Sequence, residues 1–373
     1  MKKILLIIPT SYGTIPKVSF NIYKALSKFR GIKVFVANLS YTGDSGYPSE
    51  IEFKCVDKSN MGRLLFLFKL KKTLNVDIAI STSINCNTFN VLSKSTEKTI
   101  GIFHAPLEQI RSKGLVTFLM TLFSYTFLYK SLDAIYAVSE TVKKDLIHYI
   151  RNKKVSVVYN IHDFEHINTL AQDTLPNEEL NIFMKKTFLC VGDLLKSKGV
   201  SRLLQAFAFY IKKYGTNVNL VFIGSNKQPQ HSFEKEAREL GIHDNTYFLG
   251  YKSNPYKYMK RCFALIQPSF SEGLPGVLIE ALSLNKKVVS TNSSFGVWEI
   301  MQCINDYKEN LDHVYKSPLG YITPNLLSNE HLNIQVLCET MNQILSVEAE
   351  RDEIPFNKER FMGDRIVERY FIE

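Results

Sequence analysis

Short, almost wholly apolar runs alternate along the chain with longer amphipathic stretches. Lys3–Pro9 (KILLIIP), Val34–Leu39, Ile78–Ser81, Thr99–Phe103 and Ala134–Val138 read as strands buried on both faces, the pattern of a parallel sheet covered by helices. Between the first two, apolar positions at Phe20, Ile22, Tyr23, Leu26 and Phe29 predict a helix. Val155–Asn160 closes this series. Residues 161–184 are polar and poorly periodic, contain Pro176, and read as a connection. The pattern then repeats through Thr187–Val191, Asn219–Ile223, Thr246–Tyr251, Phe263–Ile266, Lys287–Thr291 and Gly320–Pro324. A helix rich in paired acids and bases is expected over Ser232–Leu240, and another over the tail, Phe356–Phe371. At 373 residues the chain is too long for one comfortable core. The expectation is an α/β chain of two Rossmann-like domains, 1–165 and 166–355, with a C-terminal helix over 356–373.

The chemistry concentrates in residues 262–300. There an apolar strand ends in the turn Pro268-Ser269-Phe270-Ser271-Glu272-Gly273, and a helix is expected to start at Pro275, which suits a first helical position. The turn carries one carboxylate, Glu272, and the helix a second, Glu280. Free N–H groups at the helix start suit an anionic ligand, so the unit fits a polyol with an anionic tail.

This stretch resembles the signature P-S-x-x-E-G-x-P-x-x-x-x-E-A of retaining glycosyltransferases of family four, the group 1 enzymes with the GT-B fold. Gly273, Pro275 and Ala281 stand at the expected places beside the two glutamates. The resemblance implies two Rossmann-like domains facing a central cleft, a first domain for the acceptor, a second for a nucleoside-diphosphate sugar, and a C-terminal helix crossing back. Glu272 would hold hydroxyls of the donor sugar and Glu280 those of the ribose, with Gly273, Leu274, Pro275 and Gly276 lining the donor. Gly250, Tyr251 and Lys252 would frame the base by backbone contacts; a plain turn is the other reading. His104, at the end of the Thr99–Phe103 strand, would position the reacting sugar rather than act as a base. Gly13 stands alone in the first loop, where the family usually has a glycine pair at the diphosphate; a glycine serving only the turn is the other reading.

The chain departs from the family at Gly192-Asp193-Leu194-Leu195-Lys196-Ser197-Lys198-Gly199. The family pattern there is G-R-L-x-x-x-K-G, whose arginine and lysine clamp the diphosphate. Lys198 and Gly199 match, but Asp193 replaces the arginine. Three readings stand: Lys196 supplies the second positive charge, Asp193 anchors a shifted loop, or donor chemistry is weakened. Further on, Thr291-Asn292-Ser293-Ser294-Phe295-Gly296-Val297-Trp298-Glu299-Ile300 is similar to the family's T-D-x-x-x-G-x-x-E-I loop, with Asn292 in place of the acid.

Composition narrows the setting. The 45% hydrophobic and 22% charged content is that of an ordinary globular protein. The start, Met1-Lys2-Lys3 with about six apolar residues, reads as a first strand rather than a secretory signal. Six scattered cysteines suggest reduced thiols and a cytoplasmic setting. The net charge of +10 lies in the first half: residues 1–175 hold 23 Lys and Arg against 13 Asp and Glu, whereas residues 176–373 hold 23 of each. An anionic partner follows, and without a nucleic-acid motif it is expected to be an inner-membrane surface or a lipid-linked acceptor. Met61–Leu74 (MGRLLFLFKLKKTL) and Leu115–Tyr129 (LVTFLMTLFSYTFLY) could dock at a membrane interface; for the second, packing on its own sheet is the favoured reading.

No Asp-x-Asp pair is present to hold a metal, so no metal or other cofactor is expected. The resemblance implies transfer of a UDP- or GDP-linked sugar to an acceptor hydroxyl with retention, by front-side attack in which the leaving phosphate takes the acceptor's proton. A growing cell-surface glycan, as in capsule or lipopolysaccharide assembly, is the implied acceptor. The alternatives are a nucleotide-sugar epimerase on the same fold and a non-catalytic subunit.

Overall fold

The computed structural model describes residues 1–10, 14–40, 46–104, 107, 115–150, 155–226, 232–327, 330–346, 355–368 and 371. The chain forms two compact units. The first comprises Met1–Asp163 and Glu359–Glu373, the second Phe164–Lys358.

The first unit is built on seven parallel strands: β1 (Lys2–Ile8), β2 (Ile32–Asn38), β3 (Glu52–Lys54), β4 (Ile78–Ser81), β5 (Lys98–Phe103), β6 (Ala134–Ala137) and β7 (Val155–Val157). Their spatial order is β3-β2-β1-β4-β5-β6-β7. Ile4 pairs with Val34 on one side and Ile78 on the other, and Ile4 to Ile8 are fully buried, which is why the strand reads as an unbroken apolar run. The chain steps one way from β1 to β3 and the other way from β3 through β7. Right-handed crossovers therefore put the helix Thr14–Ser27 on one face of the sheet. The helices Asn60–Leu74, Ile84–Leu92, Leu115–Phe123 and Glu140–Tyr149 lie on the other. Leu67, Leu70, Cys86 and Phe89 of this second layer pack on Leu5, Ile7, Phe35 and Ala79.

The second unit repeats the plan with β8 (Lys186–Val191), β9 (Val218–Ile223), β10 (Thr246–Phe248), β11 (Ala264–Gln267), β12 (Lys287–Thr291), β13 (Tyr315–Ser317) and β14 (Gly320–Thr323). The order is β10-β9-β8-β11-β12-β14-β13, parallel except for β13, which runs antiparallel to β14.

Several expectations are corrected. Residues 161–184, expected as a poorly periodic connection, do contain the boundary between the units, but hold the helix Phe164–Ala171, the single helical turn Asn177–Leu180 and the 3-10 turn Asn181–Met184. Asn254 ties this segment into the second unit by donating to Leu170 O and the Asp173 carboxylate, both at 2.8 Å. The tail is not one long helix but a 3-10 turn, Lys358–Phe361, and the helix Gly363–Val367. It is anchored in the first unit, where Phe361 O accepts from His162 N at 2.9 Å and the Arg360 guanidinium lies 4.8 Å from the Tyr159 ring centre. A 17-residue helix, Glu330–Ser346, went unread because its apolar positions are interrupted by buried Asn333 and Thr340. All six cysteines are buried and free.

Candidate functional site

In sheets of this kind ligands bind beyond the carboxyl ends of the strands, where the strand order reverses. In the second unit that reversal lies between β8 and β11. The loop after β8 carries Lys198 and the loop after β11 carries Glu272. Between them the Lys198 ammonium donates to Glu272 Oε1 at 2.7 Å, with the lysine side chain 36% exposed and the glutamate 15%.

A glycine makes this approach possible. Gly199 adopts φ +70°, and a Cβ on it would sit 2.0 Å from Pro268 O. Any side chain would push the lysine loop off the glutamate loop. Phe270 N donating to Ser197 O at 2.9 Å joins the same two segments. Lys196, exposed, opens the short 3-10 turn that ends at Lys198.

Glu272 is held by residues the sequence did not announce. Gln267, buried at the end of β11, donates from Nε2 to Glu272 Oε1 at 3.0 Å, and its own Oε1 accepts from Ser290 Oγ at 2.8 Å. Glu272 N donates to Ser293 O at 3.3 Å, and Ser293 Oγ is buried with no hydrogen-bond partner among the described residues. The only clue in the sequence was polar residues, Gln267 and Ser290, at the ends of otherwise apolar strands.

The helix that follows spans Gly276–Ser283, so Pro275 is its N-cap in extended backbone rather than its first helical residue. No side chain caps its first turn, which leaves that end available to an anion. Gly273 and Leu274 are buried beneath it, against the helix Phe295–Ile300: a Cβ on Gly296 would fall 2.2 Å from Gly273 O. Glu280 is 8% exposed and its Oε1 accepts from the Tyr256 hydroxyl at 3.4 Å.

On the other side of β8, Gly250 stands just beyond β10 at φ +67°, and its carbonyl accepts from Gly224 N at 3.0 Å. Tyr251 beside it is 75% exposed. Lys252 is engaged elsewhere. Its ammonium lies 2.6 Å from Glu179, which also accepts from the Tyr258 hydroxyl at 2.6 Å. Burial would raise the Glu179 carboxyl, but these two donors hold it below the usual range. Lys252 thus fastens the residue 177–180 turn.

The two departures from the family pattern differ in kind. Asn292 donates through Nδ2 to Lys308 O at 2.8 Å and Glu309 O at 2.9 Å, while its Oδ1 accepts from Trp298 Nε1 at 2.8 Å. A carboxylate could not donate to two carbonyls, so the amide is the side chain this place needs. Asp193 is exposed and makes no side-chain hydrogen bond or ion pair among the described residues.

His104 belongs to the first unit, directly after β5. Its Nε2 is buried without a hydrogen-bond partner among the described residues. Burial pushes its pKa down to about 4, so the ring is neutral at pH 7. Gly13 lies outside the described residues. A surface groove of about 700 Å³ elsewhere in the second unit is lined by Phe209, Lys212, Leu332 and Glu339 among others, none from the strand-end loops.

Residues 172–305 match the family described as glycosyl transferases group 1. An uncharacterized glycosyltransferase of Methanocaldococcus jannaschii is 27% identical over 67% of this chain and 61% of its own length. A 4-alpha-N-acetylgalactosaminyltransferase of Campylobacter jejuni, named for a diphospho-undecaprenol-linked substrate, is 30% identical over 49% of this chain and 47% of its own. The matched regions thus span less than two thirds of either relative. The crystal structure of Anabaena HepE in complex with UDP and glucose aligns over 99% of this chain and 96% of that one, with a TM-score of 0.72 and 16% identity. Over residues 172–305 the chain is thus similar to the glycosyl transferases group 1, and it has the GT-B fold.

Proposed function

We propose that the protein transfers a sugar from a nucleoside diphosphate to a hydroxyl of a lipid-linked or growing cell-surface glycan, with retention of configuration and without a metal ion. The observation that carries this reading is the Lys198–Glu272 pair, open to solvent at the carboxyl ends of β8 and β11. The relatives extend it: the Campylobacter enzyme is named for a lipid-linked substrate, and HepE was crystallised with UDP and glucose. Neither alternative, epimerase or non-catalytic subunit, is favoured by these names.

With the donor bound, Lys198 exchanges Glu272 for the diphosphate. It neutralises the charge that grows on the leaving phosphate as the bond from the anomeric carbon to the phosphate oxygen breaks. Lys196 stands two residues away and supplies a second positive charge where Asp193 cannot. The uncapped start of the helix Gly276–Ser283 adds its N–H groups to the same oxygens. Glu272, released and oriented by Gln267, accepts from sugar hydroxyls, and Glu280 accepts from the ribose. The acceptor oxygen attacks from the face the phosphate leaves, and its proton passes to a phosphate oxygen. Gly250 and Tyr251 frame the base.

The test is a thermal-shift and transfer screen with UDP- and GDP-sugars and a lipid-diphosphate acceptor. Stabilisation by one donor class, transfer that survives chelator, and a product with the donor's anomeric configuration are expected. Absence of binding to every nucleoside diphosphate would overturn the reading.

A further inference from the structure

The helical layer on one face of the first sheet buries itself against the strands and yet presents bulky apolar side chains outward. On the helix Asn60–Leu74, Leu67, Leu70 and Lys71 face inward. Met61, Leu65 and Phe68, at spacings of four and three, form an exposed stripe on the opposite side. Lys69 and Lys72 are exposed beside it.

The helix Leu115–Phe123 and the π-turn Ser124–Leu128 repeat the arrangement. Thr121, Tyr125 and Tyr129 are buried, while Leu119, Met120, Phe123 and Phe127 are exposed, the two phenylalanines at 63% each with ring centres 5.1 Å apart. Packing on the sheet, the expected role of this segment, accounts for only half of it.

These stretches belong to one layer. Lys71 donates to Asn90 O and Oδ1 at 2.9 Å, joining the first helix to Ile84–Leu92. Tyr129 donates to Ile84 O at 2.9 Å, joining that helix to the third stretch. Tyr125 meets Tyr149, ring centres 6.3 Å apart, joining the third to Glu140–Tyr149.

Charge decides what covers the layer. Asn60–Leu74, Ile84–Leu92 and Leu115–Ser131 contain no Asp or Glu, whereas Lys69, Lys72 and Lys130 are exposed on them. The two acids of Glu140–Tyr149 are engaged, Glu140 by Lys143 at 3.0 Å and Asp145 by Leu107 N at 2.8 Å. Exposed apolar rings among lysines, on helices that carry no acid of their own, match the boundary between acyl chains and anionic headgroups. No described helix is long and apolar enough to cross a membrane. We infer that this layer docks the protein onto an anionic bilayer, with the Phe123–Phe127 ridge seated among the lipids and the lysines at their phosphates.

Flotation of the full chain with vesicles tests the inference independently of any sugar chemistry. Vesicles containing phosphatidylglycerol should retain the protein and phosphatidylcholine alone should not, with retention falling several-fold as salt rises. Phe123→Ser with Phe127→Ser should lower partitioning at least tenfold, while Leu332→Ser, an exposed residue of the second unit, leaves it unchanged. Should the serine pair impair folding, Lys69→Glu with Lys72→Glu reads the same docking. The inference is overturned if the wild type ignores anionic vesicles or if the variants bind as well as it does. It is equally overturned if the wild type is a dimer that the serine pair makes monomeric, which would assign the surface to a second copy.

Discussion

Two lysine–glutamate pairs in this molecule share a distance and differ in everything else. Lys71 and Glu97, in the first unit, are 2.7 Å apart with side chains 1% and 2% exposed. Lys198 and Glu272, in the second, are also 2.7 Å apart but 36% and 15% exposed. The protein supplies the buried lysine with further acceptors, Asn90 O and Oδ1, and Asn90 in turn donates to Ala79 O at 3.1 Å. Burial lowers the Lys71 pKa, partly offset by the hydrogen bond and charge of Glu97. The open lysine has no second acceptor among the described residues. A pair closed off from water, whose lysine is given further acceptors inside the fold, holds structure; one left exposed at the strand ends is open to exchange of partners.

The largest expected effect breaks the closed pair. Lys71→Met should destabilise the protein by about 3–5 kcal/mol, since it strands a buried carboxylate. Pairing it with Glu97→Leu should recover most of that loss in urea unfolding. A single-variant cost under about 1 kcal/mol would erase the distinction. Lys198→Ala should do the converse. Stability changes by under about 1 kcal/mol, as for an exposed pair, while kcat falls on the order of a hundredfold, roughly 3 kcal/mol of transition-state stabilisation.

His104 offers a third, pH-dependent contrast. Its folded pKa, about 4, lies below the unfolded value of 6.5, so between those limits the unfolded chain binds the extra proton. Its stabilising contribution is complete above pH 6.5 and is lost as pH falls toward 4, to a total of about 3 kcal/mol. His104→Gln should flatten that part of the stability curve; an unchanged curve would show that the ring is not held neutral. Smaller still, Glu280→Gln should weaken donor binding about tenfold. Gln267→Leu should weaken sugar-nucleotide binding several-fold, about 1 kcal/mol, while leaving the bare nucleoside diphosphate unaffected. Equal losses for both ligands would mean that Gln267 does not act through Glu272.

How far each part could be read from the sequence follows from how it is buried. β1, β4, β5, β8, β11 and β12 were legible because a strand covered on both faces is apolar through its middle and keeps its polar residues near its ends. Residues 330–346 were not, since buried Asn333 and Thr340 interrupt the apolar pattern, nor were residues 164–171, whose Leu170 O accepts from Asn254, 84 residues on. Within the site, Glu272, Glu280 and Lys198 were legible as a motif. The pairing of the Lys252 side chain was not, because Glu179, its partner, lies 73 residues away.

The sequence by itself determined the alternation of strands and helices, the division into two doubly wound units and the segment where the candidate site residues gather. These depend on local periodicity and on backbone groups that must bond to their neighbours. Only the tertiary structure decided which charges are spent inside the fold and which stay open, that Asn292 must be an amide, that Gln267 holds Glu272, and that a helical layer shows apolar side chains on both faces. Each of these is a property of who meets whom across the sheet, and a hydrogen-bond partner dozens of residues away leaves no trace in the spacing of a sequence.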